Sequence, residues 1–356
     1  MIEPLSLLFE TENNISFWDD KQNKIIESII FDENWNSKIK NSNQSRYGLF
    51  TLSTILIAKD LFNLKSTLYD EKLLKYIENI KNNLAEYPKS DLTYGGLTCL
   101  ILAHKLYGLS DTNMTEIEKI FDVTLEKVID DYDNQDSLIL IAGKYLNDID
   151  PNINRLKKLK VLADKYLNSQ NKKSYFETGD IRSIYHQRNM YVLWGLIFAS
   201  YFYMEKADEI KNAVIKNLNW VWDNNRDEQD DAFHWHPAFY IIRNRHGMKI
   251  PILNFKSSKY LFECHQTFFA NAVNFYQMRF NSTEFQEQKE LALEWIFGKN
   301  RIQKDLTGLN GTGLPIRIMD LNGNIFIKGQ QFKGSYEVGS YILALTAHNY
   351  FKSINQ

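Results

Sequence analysis

The sequence predicts an all-α fold of about twelve helices paired into six antiparallel hairpins. Three observations predict it. The 356 residues include only 6 Pro and 16 Gly, too few for the many turns of an all-β chain of this length. Apolar residues recur at three- and four-residue intervals through most of the chain. Every second segment opens on a polar or aromatic cluster and then turns small and aliphatic, while the segments between carry more charge.

In order, the spacing predicts helices near 20–31, 47–63, 69–85, 92–107, 114–131, 135–147, 154–168, 185–204, 207–223, 262–279, 284–298 and 336–352. Tyr87-Pro88-Lys89-Ser90-Asp91, Gly108-Leu109-Ser110-Asp111 and Asp148-Ile149-Asp150-Pro151 punctuate the joins, each ending one helix and capping the next. The polar openings are Ser45-Arg46-Tyr47-Gly48, Asp91-Leu92-Thr93-Tyr94-Gly95-Gly96, Asn134-Gln135-Asp136-Ser137, Tyr185-His186-Gln187-Arg188-Asn189, Glu263-Cys264-His265-Gln266 and Ser335-Tyr336-Glu337-Val338-Gly339. The first three lie roughly 45 residues apart and the later intervals widen, as in a hairpin repeat with loop insertions. Charged helices such as Asp70–Glu86 and Thr115–Asp131 fall between them. Buried inner helices alternating with half-exposed outer ones describe an α/α toroid, with the six polar starts gathered at one mouth of a cavity.

Two long segments, 224–261 and 299–335, interrupt the helices, and such loops in a compact chain are usually functional. Within the second, Arg317–Ile327 alternates around Asn322-Gly323 and predicts a small β-hairpin.

Composition narrows the function classes. The 42 Lys plus Arg balance 44 Asp plus Glu, a net charge of −2, which argues against nucleic-acid binding through a basic field. At 44% hydrophobic and 24% charged, residues 1–356 read as one globular domain. Apolar runs such as Leu193–Tyr203 fall short of the ~20 residues of a membrane span. Met1-Ile2-Glu3-Pro4 lacks a charged targeting region, so a cytoplasmic location is expected. Cys99 and Cys264 are the only cysteines and imply no disulfide framework.

The end of the chain carries a resemblance. Ala292-Leu293-Glu294-Trp295-Ile296-Phe297-Gly298-Lys299-Asn300, a Gly-rich loop, and then Ser335-Tyr336-Glu337-Val338-Gly339-Ser340-Tyr341 look like the last hairpin of a glycosidase-like domain. The chain thus resembles the six-hairpin (α/α)6 toroid superfamily, which includes many glycoside hydrolases, sugar epimerases and polysaccharide lyases. The resemblance implies an (α/α)6 toroid acting on an oligo- or polysaccharide, with Glu337 as general acid.

Glycoside hydrolysis needs a second carboxyl. Asp230 and Asp231, in Asp227-Glu228-Gln229-Asp230-Asp231-Ala232-Phe233-His234, and Asp91 are the candidates, and Glu263 has a similar setting. An alternative rests on His186, His234, His236, His246 and His265, five of the seven histidines, gathered between 186 and 265. A histidine suits proton transfer near neutral pH. Tyr185 beside Arg or Asn suits abstraction of a proton next to a uronate carboxylate, so Tyr185, His186, Asn189, Asn244, Arg245 and His246 fit β-elimination or epimerisation. At the rim, Tyr47, Tyr94, Trp235, Tyr240 and Tyr336 offer rings for sugar faces, while Arg46, Arg188, His236, His265 and Gln266 offer polar contacts. A sugar-binding scaffold without catalysis would keep this rim. Cys264-His265 is a weak metal pattern, and Leu309-Asn310-Gly311-Thr312-Gly313 is not a phosphate loop, so neither metal nor cofactor is expected.

Overall fold

The computed structural model describes residues 4–9, 16–32, 37–41, 45–108, 111–178, 186–235, 239–243, 249–253, 259–307, 313–325, 327 and 332–354. Among them are eleven helices of eleven residues or more. They are α1 (Arg46–Leu61), α2 (Asp70–Asn82), α3 (Leu97–Tyr107), α4 (Asp111–Asp130), α5 (Ile139–Ile149), α6 (Ile153–Ser169), α7 (His186–Ala199), α8 (Ala207–Asn225), α9 (Glu263–Phe280), α10 (Gln286–Ile296) and α11 (Ser335–Ile354).

The odd-numbered helices form a closed ring: α1 packs on α3, α3 on α5, α5 on α7, α7 on α9, α9 on α11, and α11 back on α1. The even-numbered helices lie outside it, each against an inner neighbour. The short turn of helix Ser6–Phe9 rests on α11, on the side where α1 has no outer helix before it in the chain. Burial separates the two rings. In α9 every residue from Glu263 to Gln277 is buried, as all-round contact requires. In α2 only Leu73, Tyr76, Ile77 and Ile80 are buried, the single apolar stripe of an outer helix.

Local chemistry sets the ends. Asn152 accepts from the backbone N–H groups of Asn154 and Arg155 at 3.0 and 3.1 Å and caps α6. Gly108, at φ 68°, closes α3 in the left-handed region. At Gly339 the constraint is space, because a Cβ there would stand 2.7 Å from Thr51 Cα, so α11 and α1 cross closely.

The expected helix at 20–31 is instead extended: Trp18–Asp19 pairs antiparallel with Lys24–Ile25, and Ser28–Phe31 follows as a strand. Burial alternates along Ser28–Phe31, a period of two that the apolar count over 20–31 had blurred into helix. This strand is the centre of a three-stranded antiparallel sheet, flanked by Ser37–Asn41 and by Phe332–Gly334, and so ties the N-terminal segment to the approach to α11. In the Arg317–Ile327 segment, Asp320–Asn324 forms the turn, and Ile318–Asp320 takes Tyr260–Phe262 from the other long loop as its antiparallel partner. Short antiparallel pairs Arg226–Asp227 with Ala232–Phe233, and Phe239–Arg243 with Lys249–Leu253, complete the strands described.

The ring is filled. Phe50 of α1 lies 4.6 Å from Tyr94, 5.9 Å from Trp194 of α7 and 5.6 Å from Phe268 of α9, ring centroid to ring centroid. This aromatic layer across the axis makes the centre a packed floor.

Candidate functional site

Six parallel inner helices bring their first turns to one end of the ring. On the floor below, Tyr94 and Tyr191 hold their hydroxyls 2.6 Å apart, and Gln187 donates to the Tyr191 oxygen. Burial pushes both phenols above their ordinary range, so they are neutral hydrogen-bonding groups.

On the α7–α9 side, the imidazoles of His186 and His265 stack with centroids 4.5 Å apart and planes 15° from parallel. Each is 1% exposed. The His265 Nδ1 lies 2.9 Å from the backbone oxygen of His234. A carbonyl only accepts, so Nδ1 carries the proton and Nε2 is the basic position of the neutral ring. Phe233 backs His186 at 4.7 Å and Phe262 meets His265 edge-on at 4.8 Å, fixing both rings.

On the α9–α11 side, two carboxylates and two cations are interlocked. Arg317 Nε donates to Glu337 Oε1 at 2.9 Å, and Lys333 Nζ lies 2.6 Å from Glu263 Oε2 and 3.7 Å from Glu337 Oε2. Both glutamates are 0% exposed. Burial pushes the Glu263 carboxyl up to about 7, against the pull of Lys333 and with the help of Glu337. Glu263 Oε1 has no hydrogen-bond donor among the described residues. Tyr336 joins the cluster through a hydrogen bond with Arg317, and its ring lies 4.5 Å from Tyr47.

On the α1–α5 side the surface opens into two adjoining polar cavities. One, of about 220 Å³, is lined by Arg46, Lys89, Ser90, Gln135, Asp136 and Arg188 among others. The second, of about 540 Å³, lies between α1, the end of α2 and the turn before α3. Arg46 lines both, its guanidinium 4.9 Å above the Tyr94 ring. Arg188 donates to Gln135 Oε1 at 3.2 Å, and Lys89 meets Asp136 at 3.0 Å. Asp91 lines the larger cavity. Its carboxyl is raised by burial, opposed by the Ser90 hydroxyl and the Arg46 charge.

The expected site residues therefore divide. Arg46, Tyr47, Asp91, Tyr94, His186, Arg188, His265, Tyr336 and Glu337 all stand at or just below inner-helix starts. Trp235 lies near them, with Arg317 5.4 Å from its ring centre. Asp230 is buried and bound at 2.7 Å by Arg301 Nε, and Asp231 pairs with Arg226, so both brace the loop after α8. Asn189 accepts from Phe176 N–H and Asn217 Nδ2 at 2.9 and 3.0 Å, holding the segment before α7. Gln266 is tied to the backbone of Phe233 and Phe262. Tyr185, His236 and His246, with Asn244 and Arg245, lie outside the described residues, and so does the Tyr240 side chain. Arg317 and Lys333 escaped sequence reading because they sit in the irregular 299–335 segment, where no periodicity marks a buried cation. Among the described residues no group of three or more His, Cys, Asp or Glu is arranged to hold a metal ion, and Cys264 is a buried thiol.

No family model matches the chain, and no curated protein matches it. Solved structures do. A sugar epimerase from a ruminal bacterium superposes with a TM-score of 0.67 at 11% identity, over 97% of this chain and 98% of its own. The cellobiose 2-epimerase of Bacillus thermoamylovorans B4167 gives 0.66 at 10%, over 93% and 94%. An unsaturated glucuronyl hydrolase from Streptococcus agalactiae gives 0.62 at 13%, over 97% and 89%. The fold is the (α/α)6 toroid. At these identities the likeness establishes architecture, and the chemistry must be argued from the side chains.

Proposed function

We propose that this protein is a carbohydrate-active enzyme that moves a proton at a carbon beside a sugar carbonyl or carboxylate, as in epimerisation, isomerisation or β-elimination. The stacked pair His186 and His265 carries this reading. Two imidazoles fixed by Phe233, Phe262 and the His234 carbonyl, at the starts of adjacent inner helices, offer positioned groups for proton transfer, with His265 Nε2 the accepting nitrogen of its neutral ring. Arg46, Arg188 and Gln135 line the polar cavity above the floor and are suited to hold sugar hydroxyls or a carboxylate. The structures of like fold include, by their names, epimerases, an isomerase, a polysaccharide lyase and glycoside-cleaving hydrolases, so they support a carbohydrate-active enzyme without favouring one reaction.

A second reading is hydrolysis, favoured by one observation: Glu263, which burial keeps protonated up to about pH 7, shares Lys333 with the arginine-bound Glu337. A buried carboxyl kept protonated near neutral pH is what a general acid requires.

Incubating the protein with reducing sugars and with neutral and acidic oligosaccharides, then resolving products by NMR, tests the choice. Proton-transfer chemistry yields an epimer, a ketose–aldose pair or an unsaturated unit, lost in His265→Asn and retained in Glu337→Gln. New reducing ends in equal number to cleaved bonds, lost in Glu337→Gln and retained in His265→Asn, would establish hydrolysis instead.

A further inference from the structure

The cavity of about 540 Å³ beside Arg46 is lined by neither histidine of the pair. Its size falls in the range of about 300–1,000 Å³ typical of small-molecule sites. Its lining is what uncharged polyols require. Asn79, Asn83, Gln22 and Ser45 supply amides and a hydroxyl, and Tyr87 with Pro88 gives a flat apolar side. The amides are held in place: Asn79 Nδ2 donates to the Gln22 carbonyl at 2.8 Å, and Asn83 Nδ2 donates to the Asn79 carbonyl and side-chain oxygens at 2.8 and 3.1 Å. Charge is balanced around the wall, with Lys24 and Arg46 against Glu86 and Asp91, so no net field selects an anion. Arg46 is the shared wall with the smaller cavity, and its buried Nε has no hydrogen-bond partner among the described residues.

We propose that this cavity is a subsite for an uncharged sugar unit, so that the substrate is a neutral oligosaccharide. This rests on the carbohydrate reading above and narrows it.

Binding separates the two. Dissociation constants for glucose, mannose, cellobiose, β-1,4-mannobiose and the dimer of galacturonic acid would be measured by ligand-observed NMR on the His265→Asn protein, which stops turnover. The expected result is at least a tenfold gain for a neutral disaccharide over its monosaccharide, with no such gain for the diuronate. Adding Asn83→Trp, or Glu86→Trp at the exposed rim, fills the cavity and brings the gain down to about one, with the thermal midpoint recorded for each. Absence of a gain for any neutral disaccharide, a preference for the diuronate, or a gain that survives both folded tryptophan variants overturns the proposal. Failure of the proton-transfer reading leaves the binding gain in place, whereas failure of the subsite leaves the products of turnover unaltered.

Discussion

His186 and His265, on neighbouring inner helices and 79 positions apart in sequence, lie face to face with ring centroids 4.5 Å apart. Replacing either by Asn should lower kcat by about 100- to 10,000-fold, the usual size of a positioned acid or base. The circular-dichroism melt should shift little by comparison. Loss of fold in both variants, with activity falling only in proportion, would assign the stack to packing.

The cluster of Glu263, Lys333, Glu337 and Arg317 makes a stability prediction. Measured at pH 8, above the Glu263 titration, Lys333→Met leaves two buried carboxylates with one cation, and removing one partner of a buried pair costs about 3–5 kcal/mol. Denaturant titration of Lys333→Met and of the double variant Lys333→Met/Glu263→Gln measures this, and the second change should restore part of the loss.

The same cluster sets a pH dependence. Burial raises the Glu263 carboxyl from 4.5 to about 7 in the folded state, so the folded protein binds this proton more tightly than the unfolded chain. Stability from this group is therefore greatest below about pH 4.5, declines between there and 7, and is absent above. Glu263→Gln should flatten the thermal midpoint between pH 5 and 8 relative to wild type. An unchanged slope would show that Glu263 titrates normally.

At the far end of the ring, Lys289 runs the other way. It is 1% exposed, 2.7 Å from Gln277 Oε1, and burial lowers its ammonium from 10.5 to about 8. The unfolded chain binds this proton more tightly, so between about pH 8 and 10.5 stability from this group rises with pH. Lys289→Met should raise the midpoint at pH 7 and lose that advantage at pH 10; a lower midpoint at pH 7 would mean that the hydrogen bond to Gln277 outweighs desolvation.

Much of this architecture was legible beforehand. Eleven of the helices fall within a few residues of where apolar spacing put them, because burial on one stripe or all round is written directly into periodicity. Residues 20–31 misled because Ile25, Ile26, Ile29, Ile30 and Phe31 satisfy helical spacing as well as alternation, and only pairing with Phe332–Gly334 decides between them. Candidate residues at helix starts, such as His186 and His265, could be read from their repeat position. Their contact was not, since nothing local reports which inner helices become neighbours. The Asp230 ion pair was equally hidden from local sequence, since its partner Arg301 lies 71 residues away.

On the proposed function, the stacked histidines move a proton at carbon. Running the reaction in D2O and recovering the unreacted sugar at partial conversion tests it most directly, with deuterium at each carbon read by NMR. Deuterium at a single carbon next to the carbonyl or carboxylate, formed by wild type and Glu337→Gln and absent with His186→Asn and His265→Asn, is the predicted result. Recovered substrate without deuterium, together with cleaved glycosidic bonds that depend on Glu263 or Glu337, would contradict it.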